Sequence, residues 1–343
     1  MQIFSHIVEM GHEQVIFCYH KEAGLKAIIA IHNTNLGAAL GGTRLFPYAN
    51  DEDALKDVLR LSRAMTYKAA CANIPVGGGK GVIIANPDQK TDKLFSTYGR
   101  FVENLQGRFI TGQDVNISLE DTYKMSEQTS YIVGLLERYG GCSRATAIGI
   151  NSGMKAAVDF YLGKKNLQGL KIAIQGVGKV GKNLCQILSE EEVEIFVSDP
   201  IAERLAELKH LYQVNVVDLE EIYEIDVDLF APCALGGVIN SSTIPKLKAK
   251  IIAGGANNQL ENEELDSQML AERNILYCPD YVINAGGLIN VYDEMVDLDE
   301  ENSLARVRNI GDTLMEVFQI SQNENITTLA ASKRLAENRF LGG

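Results

Sequence analysis

No window of the chain approaches the ~20 consecutive apolar residues that cross a bilayer, and the opening MQIFSHIVEMGHEQ lacks the basic-then-apolar pattern of a signal peptide. The expectation is a soluble cytoplasmic protein. There is also no Lys/Arg run of the kind that binds nucleic acid. With 45 acidic against 32 basic side chains, the formal charge is −13, which repels a polyanion over most of the surface. Neither nucleic acid nor a membrane is therefore an expected partner. The six cysteines (Cys18, Cys71, Cys142, Cys185, Cys233, Cys278) contain no CxxC pair, and the five histidines (His6, His12, His20, His32, His210) read as isolated from one another and from the Gly-rich stretches. These absences argue against a disulfide framework, a metal site and a His-based triad. No internal repeat or low-complexity linker is visible. What remains is 343 residues of ordinary globular composition, 46% hydrophobic and 22% charged, long enough for two domains.

The stretch from Met65-Thr66-Tyr67-Lys68 to Gly77-Gly78-Gly79-Lys80 stands out. Two amines held in one cleft disfavour each other's protonation, and partial burial acts in the same direction, so one of them can serve as a base near neutral pH. The plain alternative is a Gly-rich surface turn with two solvated lysines. A phosphate-cradling loop is excluded, because Gly-Lys would need Ser or Thr next and Lys80 is followed by Gly81 and the β-branched run Val82-Ile83-Ile84.

Around this stretch the periodicity predicts a hairpin from Gln14–His20 and Lys26–His32, then a tight turn at Leu40-Gly41-Gly42-Thr43-Arg44. The paired glycines serve either a steep turn or close approach to a ligand. Asn50 caps a helix that carries its apolar stripe to Lys68, a strand follows at Gly81–Ala85, and a second helix runs from about Thr91 to Leu105. Asp114 follows the short β-like run at Arg108–Thr111, where it either projects from a strand end as a functional carboxylate or makes an Asx-turn. A helix at about Ser118–Thr129 leads to Gly140-Gly141, read as a domain junction before a long helix at Ala147–Leu162.

The second half opens with the strand Lys171–Gln175, which runs directly into Gly176-Val177-Gly178-Lys179-Val180-Gly181 and a helical pattern; the next strand ends at Asp199. A lone GxGxxG is weak evidence, but strand before, helix after and an acid closing the next strand make the dinucleotide-binding fingerprint. Asp199 accepts from ribose hydroxyls and repels a 2′-phosphate, which selects NAD over NADP. Pro200 follows it, and Arg204, the nearest basic residue, reads as a solvated helix residue, with a contact to a 2′-phosphate as the alternative. Further strands end in small residues and amides, Cys233-Ala234-Leu235 and Ala256-Asn257-Asn258, which suit a cofactor crevice, although the two asparagines also suit a helix cap before Asn262-Glu263. Two closing helices are expected, near Asp299–Ser321 and Thr327–Phe340.

MTYK, GGGK, TGQD, GVGKVG, APCALGG, GGANNQ and PDYVINAGG occur in an order and spacing that resembles the glutamate/leucine/phenylalanine/valine dehydrogenase superfamily over essentially the whole chain. The resemblance implies an α/β protein of two domains. An α/β substrate and oligomerisation domain would span 1–138, a doubly wound Rossmann NAD-binding domain 139–325, and a C-terminal helix 326–343 that packs back on the first domain. It also implies a homo-oligomer, a dimer or larger, acting on a small amino acid with its 2-oxo acid and ammonia. By the same mapping Lys80 is the base that activates water and Asp114 handles the amino-group proton, while Lys68 grips the substrate carboxylate with Asn258, Gly41 and Gly42. The cofactor would meet Gly176, Val177, Gly178, Lys179, Val180, Gly181, Asp199, Pro200, Thr146, Cys233, Ala234, Leu235, Ala256, Asn257 and Asn284. Glutamate-using members carry a lysine where this chain has Leu40. The implied side-chain pocket, Leu40, Met65, Ala69, Ile74, Ile110, Gly112, Leu288, Ile289, Val291 and Tyr292, is apolar. The wording of TGQDVN and GGLINVY is more similar to members acting on tryptophan than to those acting on leucine, valine or phenylalanine, whereas Ser143-Arg144 departs from a Pro-containing loop common in the family.

Overall fold

A computed structural model describes residues 3–136 and 140–342, so the expected domain boundary between 138 and 139 falls outside the described residues. The chain divides into two compact units, Met1–Glu137 with Ala336–Gly343, and Arg138–Leu335.

The first unit contains, in order, α1 (Ile3–Met10), β1 (Gln14–His20), β2 (Leu25–Asn33), β3 (Ala39–Leu40), β4 (Thr43–Phe46), α2 (Asp51–Cys71), β5 (Gly77–Ile84), α3 (Asp92–Glu103), β6 (Phe109–Ile110) and α4 (Leu119–Ser126). The strands form a mixed sheet ordered β1-β2-β5-β3-β6, with β4 also on β5. The middle of strand β2, residues 27–31, is apolar because both its faces are covered. Ile28 and Ala30 join Ala54, Leu55, Val58 and Leu59 of α2, whereas Ala27, Ile29 and Ile31 join Leu94, Phe95, Tyr98 and Val102 of α3.

Neither the tight turn expected at Gly41-Gly42 nor the surface turn that was the plain alternative at Gly77-Gly78-Gly79 is present. Gly77-Gly78-Gly79 lie inside β5, and β3 and β4 on either side of Gly41-Gly42 both run parallel to β5, so the chain does not reverse there. The physical reason is crowding. A Cβ at Gly78 would sit 2.2 Å from the Thr66 backbone nitrogen of α2, one at Gly81 would sit 2.1 Å from Tyr98 Oη, and one at Gly41 would sit 1.8 Å from the Gly79 carbonyl oxygen. Glycine lets main chain pack directly on main chain.

The histidines expected to be isolated include a buried pair. His12 and His32 meet edge to face with ring centroids 4.9 Å apart. His32 Nε2 donates to the Met10 carbonyl (3.1 Å), so its Nδ1 accepts from Thr66 Oγ1 (2.8 Å). His12 Nε2 lies 3.1 Å from the Leu59 carbonyl and 2.8 Å from Ser62 Oγ, and no partner among the described residues reaches its Nδ1. The end of α2 is closed by the returning C-terminal segment of the same unit: Arg339 Nη1 donates to the carbonyls of Ala70 (3.0 Å) and Cys71 (2.9 Å), capping the helix as a cation should.

The second unit contains α5 (Gly141–Leu162), β7 (Lys171–Gln175), α6 (Lys179–Leu188), β8 (Glu194–Ser198), α7 (Ala202–Leu211), β9 (Val214–Val216), β10 (Leu229–Pro232), β11 (Ile251–Ile252), α8 (Glu263–Glu272), β12 (Leu276–Tyr277), α9 (Asp280–Ile283), α10 (Gly286–Met295), α11 (Glu300–Arg308), α12 (Ile310–Glu324) and α13 (Thr328–Leu341), the last crossing into the first unit at Ala336. Its sheet is wholly parallel, ordered β12-β11-β10-β7-β8-β9. The order reverses between β7 and β10, the switch point at which open α/β sheets hold ligands. Helix α5 begins at Gly141 rather than Ala147, so Ser143 and Arg144 are helical and not part of a loop. The single closing helix expected at Asp299–Ser321 is two helices meeting at Asn309, and α9 and α10 were not anticipated. Gly286 and Gly287 weigh against a helix by propensity. Packing overrides this, since a Cβ at Gly286 would sit 2.3 Å from the Ala145 carbonyl of α5.

Candidate active site

In the first unit, Lys80 and Asp114 are far apart in sequence and adjacent in space. Lys80 is 7% exposed on β5, and its Nζ lies 2.6 Å from Asp114 Oδ2. Asp114 is carried there by β6, whose extension is pinned to the β3–β4 segment by Gly41 N–H to the Ile110 carbonyl (3.1 Å) and Thr43 N–H to the Gly112 carbonyl (2.9 Å). A Cβ at Gly42 would lie 2.4 Å from the Gln113 carbonyl oxygen and 3.0 Å from Asp114 Cβ, so this glycine makes room for the carboxylate's own backbone. The Asp114 side chain is therefore engaged in a buried ion pair rather than spent on an Asx-turn.

A second cation completes the cluster: Arg44 Nε lies 3.4 Å from the same Oδ2. Burial by itself pushes the Asp114 carboxyl up, but Lys80, Arg44 and the Val115 N–H outweigh it and hold the group below the ordinary carboxylate range. Arg44 was not singled out in the sequence. The signal available was its place in Gly-Gly-Thr-Arg, a short run that lies parallel to the strand carrying Lys80.

Lys68 lies in the last turn of α2, half-buried, on the helix whose Thr66 nitrogen would meet a Gly78 Cβ. Of the expected pocket residues in this unit, Leu40, Ala69 and Ile74 are buried, while Met65 and Ile110 are half-buried. Met65 Cγ would lie 3.3 Å from a Gly41 Cβ, which puts it beside the paired glycines.

In the second unit the glycine loop has three different environments. Gly176 adopts φ +89°, a conformation that favours glycine, and a Cβ on Gly181 would strike the Gly176 carbonyl oxygen at 2.1 Å. At Gly178, by contrast, a Cβ would meet nothing within 4 Å, and this residue caps the start of α6. Open space over backbone N–H groups at a helix N-terminus is what a pyrophosphate requires. Asp199 is buried behind the loop, where its carboxylate accepts the N–H groups of Val177 (2.9 Å) and Ile201 (2.9 Å). Arg204 is exposed, as expected of a solvated helix residue, and its guanidinium also approaches Asp199 Oδ2 at 3.5 Å.

The other expected cofactor residues distribute over the ends of β10 and β11 and the starts of α5 and α10. Cys233 N–H donates to the Gln175 carbonyl (2.7 Å), and burial pushes its thiol up to about 11, which keeps it protonated. Asn284 Nδ2 donates to Asn257 Oδ1 (2.7 Å), and Thr146 Oγ1 donates to the Cys142 carbonyl (2.8 Å). The helix cap that Asn257 and Asn258 might have supplied belongs to Asn262, whose Oδ1 accepts from Leu265 N–H (3.0 Å); Asn258 takes φ +50° instead. Leu288, Ile289, Val291 and Tyr292 all lie on α10, and the Tyr292 ring has the Arg306 guanidinium 5.4 Å from its centroid.

A family profile described as "Glu/Leu/Phe/Val dehydrogenase, dimerisation domain" matches residues 12–138, and one described as "Glutamate/Leucine/Phenylalanine/Valine dehydrogenase" matches residues 199–336. The chain belongs to the Glu/Leu/Phe/Val dehydrogenase family. It is 59% identical over 340 residues to an L-tryptophan dehydrogenase of Nostoc punctiforme, covering 99% of this chain and 96% of that one. It is 46% identical over 344 residues to a leucine dehydrogenase of Geobacillus stearothermophilus, covering 99% and 94%. A crystal structure of L-tryptophan dehydrogenase from Nostoc punctiforme superposes with a TM-score of 0.91 at 58% identity and 99% coverage of both chains. Members of this family are NAD-dependent amino acid dehydrogenases. The open space at Gly178 and the buried Asp199 fit that cofactor. Among the described residues no helix is long and apolar enough to cross a membrane.

Proposed function

We propose that this dehydrogenase oxidatively deaminates L-tryptophan: L-tryptophan, NAD⁺ and water give the 2-oxo acid, ammonium, NADH and a proton. The observation that carries the chemistry is the Lys80–Asp114 pair, two proton-handling groups 2.6 Å apart with Lys80 buried and Asp114 half-buried. The choice of tryptophan is supported by the likeness to the Nostoc enzyme. When bound, NAD⁺ supplies the hydride acceptor. The chain's own contribution is positioning and proton transfer. Lys68 holds the substrate carboxylate, and Lys80 takes a proton from the water that attacks the substrate's iminium carbon. Asp114, kept ionised by its two cations, accepts and returns the amino-group proton. Leu40, where a glutamate-specific site would need a cation, leaves that corner apolar.

NADH formation at alkaline pH with L-tryptophan, L-phenylalanine, L-leucine, L-valine and L-glutamate tests the reading. Tryptophan should give the highest kcat/KM and glutamate the lowest. Leucine, valine or phenylalanine in first place would keep the reaction and overturn the substrate, because one methylene in an apolar pocket is worth only about 1–3 kcal/mol. Absence of turnover with all five would overturn the reaction itself.

We also infer a homo-oligomer built through the first unit. Strand β1 is an edge of its sheet and leaves Tyr19 64% exposed, and α1 leaves Phe4 81% exposed, an unpaired edge and apolar surface that a second copy would cover. Light scattering should give at least twice 37.6 kDa for the native chain. Tyr19→Arg should shift the mass toward one chain, and a native monomer would refute the inference.

A further inference from the structure

We propose that Arg44 is a positioning residue for the reaction: a guanidinium anchored by Asp57 and Tyr48 that fixes the orientation and charge of the Asp114 carboxylate. The proposal rests on the dehydrogenase reading for its consequence in catalysis, and on geometry alone for the coupling.

The Arg44 side chain uses two different edges. Its Nε faces Asp114 Oδ2 at 3.4 Å, and its Nη1 donates to Asp57 Oδ2 at 3.0 Å. Asp57 is itself held. Tyr48 Oη donates to the same Oδ2 at 2.7 Å, and Arg60 Nη2 donates to Oδ1 at 3.2 Å from the next turn of α2. Arg44, Asp57 and Asp114 are all largely screened from solvent. A buried cation between two carboxylates is stable there only because each neighbour neutralises part of it, and removing one partner leaves the others unpaired. The charges facing Asp114 are thus Lys80 from β5 and Arg44 from β4, with Asp57 behind Arg44 from α2. Burial and the Asp57 hydrogen bond both push the Tyr48 phenol up, so it remains a donor throughout the working pH range.

The arrangement solves a specific problem. Lys80 and Arg44 converge on one oxygen of Asp114, and if Lys80 exchanges a proton during turnover, that oxygen loses a cation for part of the cycle. Arg44 cannot lose its charge. It therefore holds Asp114 in one rotamer, and ionised before it accepts the amino-group proton and after it returns it, whatever the state of Lys80. Lysine at position 44 would keep the charge but not the planar fork that serves Asp57 and Asp114 together.

The test combines a titration with kinetics in the full-length chain. Asp carboxyl carbons labelled with ¹³C are followed by NMR against pH, with Asp114→Asn assigning the resonance, in the native chain and in Arg44→Gln, Arg44→Lys and Asp57→Asn. The Asp114 midpoint should move to higher pH in Arg44→Gln, and less far in Arg44→Lys and Asp57→Asn. In turnover assays Arg44→Gln should lower kcat by about 10- to 100-fold, with the acid limb of the pH profile moving in the same direction as the NMR midpoint and with KM for NAD unchanged. Arg44→Lys should recover part of the loss. A variant that only loosened the contact between β4 and α2 would lower thermal stability without moving either midpoint, and that result overturns the proposal. If the native chain turned over none of the amino acids, the dehydrogenase reading would fall on its own while the NMR midpoints still decided whether Arg44 sets the state of Asp114.

Discussion

Lys80→Ala should lower kcat by at least about 10³-fold, within the range general acid–base groups contribute, while the Kd for NAD stays within a few fold. The separation follows from where the groups lie: Lys80 belongs to β5 of the first unit, whereas the glycine loop and Asp199 belong to the second. The substitution also strips one of two cations from a buried carboxylate. Arg44 remains 3.4 Å from Asp114, so the carboxylate retains a partner and the variant should stay folded. Stopped-flow NADH formation alongside NAD titration reads both quantities. Turnover within tenfold of the native rate would remove Lys80 from the reaction.

The second large effect concerns stability and pH. Burial, first, together with nearby positive charge lowers both His12 and His32 to about 4 from the ordinary 6.5; for His12 that charge is His32 and Arg63, for His32 it is Arg63. The folded chain therefore refuses protons that the unfolded chain takes up below 6.5. Stability is whole above that pH and is lost progressively as pH falls toward 4. One ring accounts for about 3 kcal/mol at full effect, and the pair for less than twice that, because part of what opposes a proton on His12 is the charge on His32. Geometry agrees with the sign: a proton on His12 Nδ1 would be a buried donor with no acceptor among the described residues. Urea unfolding at pH 7.5, 6, 5 and 4.5 should show ΔG falling across the series, and His32→Gln should flatten the slope. Carboxylates of ordinary pKa titrate mostly below this window, so a flat profile between pH 6.5 and 5 would refute the assignment.

Much of the second unit was legible because its signals are local. A strand, three glycines, a helix and an acid within thirty residues declare their geometry through short-range sterics, and Gly176, Gly181 and Asp199 sit as those sterics require. The first unit was legible in composition but not in arrangement. Lys80 looked like the partner of Lys68, its neighbour in sequence, yet the group that touches it is Asp114, delivered by β6. Nothing in the spacing encodes a strand order. The histidine pair, by contrast, could have been found. The hairpin's register pairs Gln14 with Ile31, and carrying it past the end of β1 brings His12 alongside the His32–Asn33 step. Helix α10 was missed for the opposite reason: its glycines speak against helix locally, and only the neighbouring backbone of α5 explains them.

The glycines of β5 have a consequence for how such a chain can change. At Gly78, β5 meets the α2 backbone at Thr66 and Ser62 with no side chain of its own in between, so at that point nothing can be resized to alter the distance between the elements that carry Lys68 and Lys80. Under the proposed roles, substitutions at Leu40, Met65 or Ile110 would then reshape what the first unit accepts while Lys80 and Asp114 keep their places. Substrate preference is free to drift, and the reaction is not.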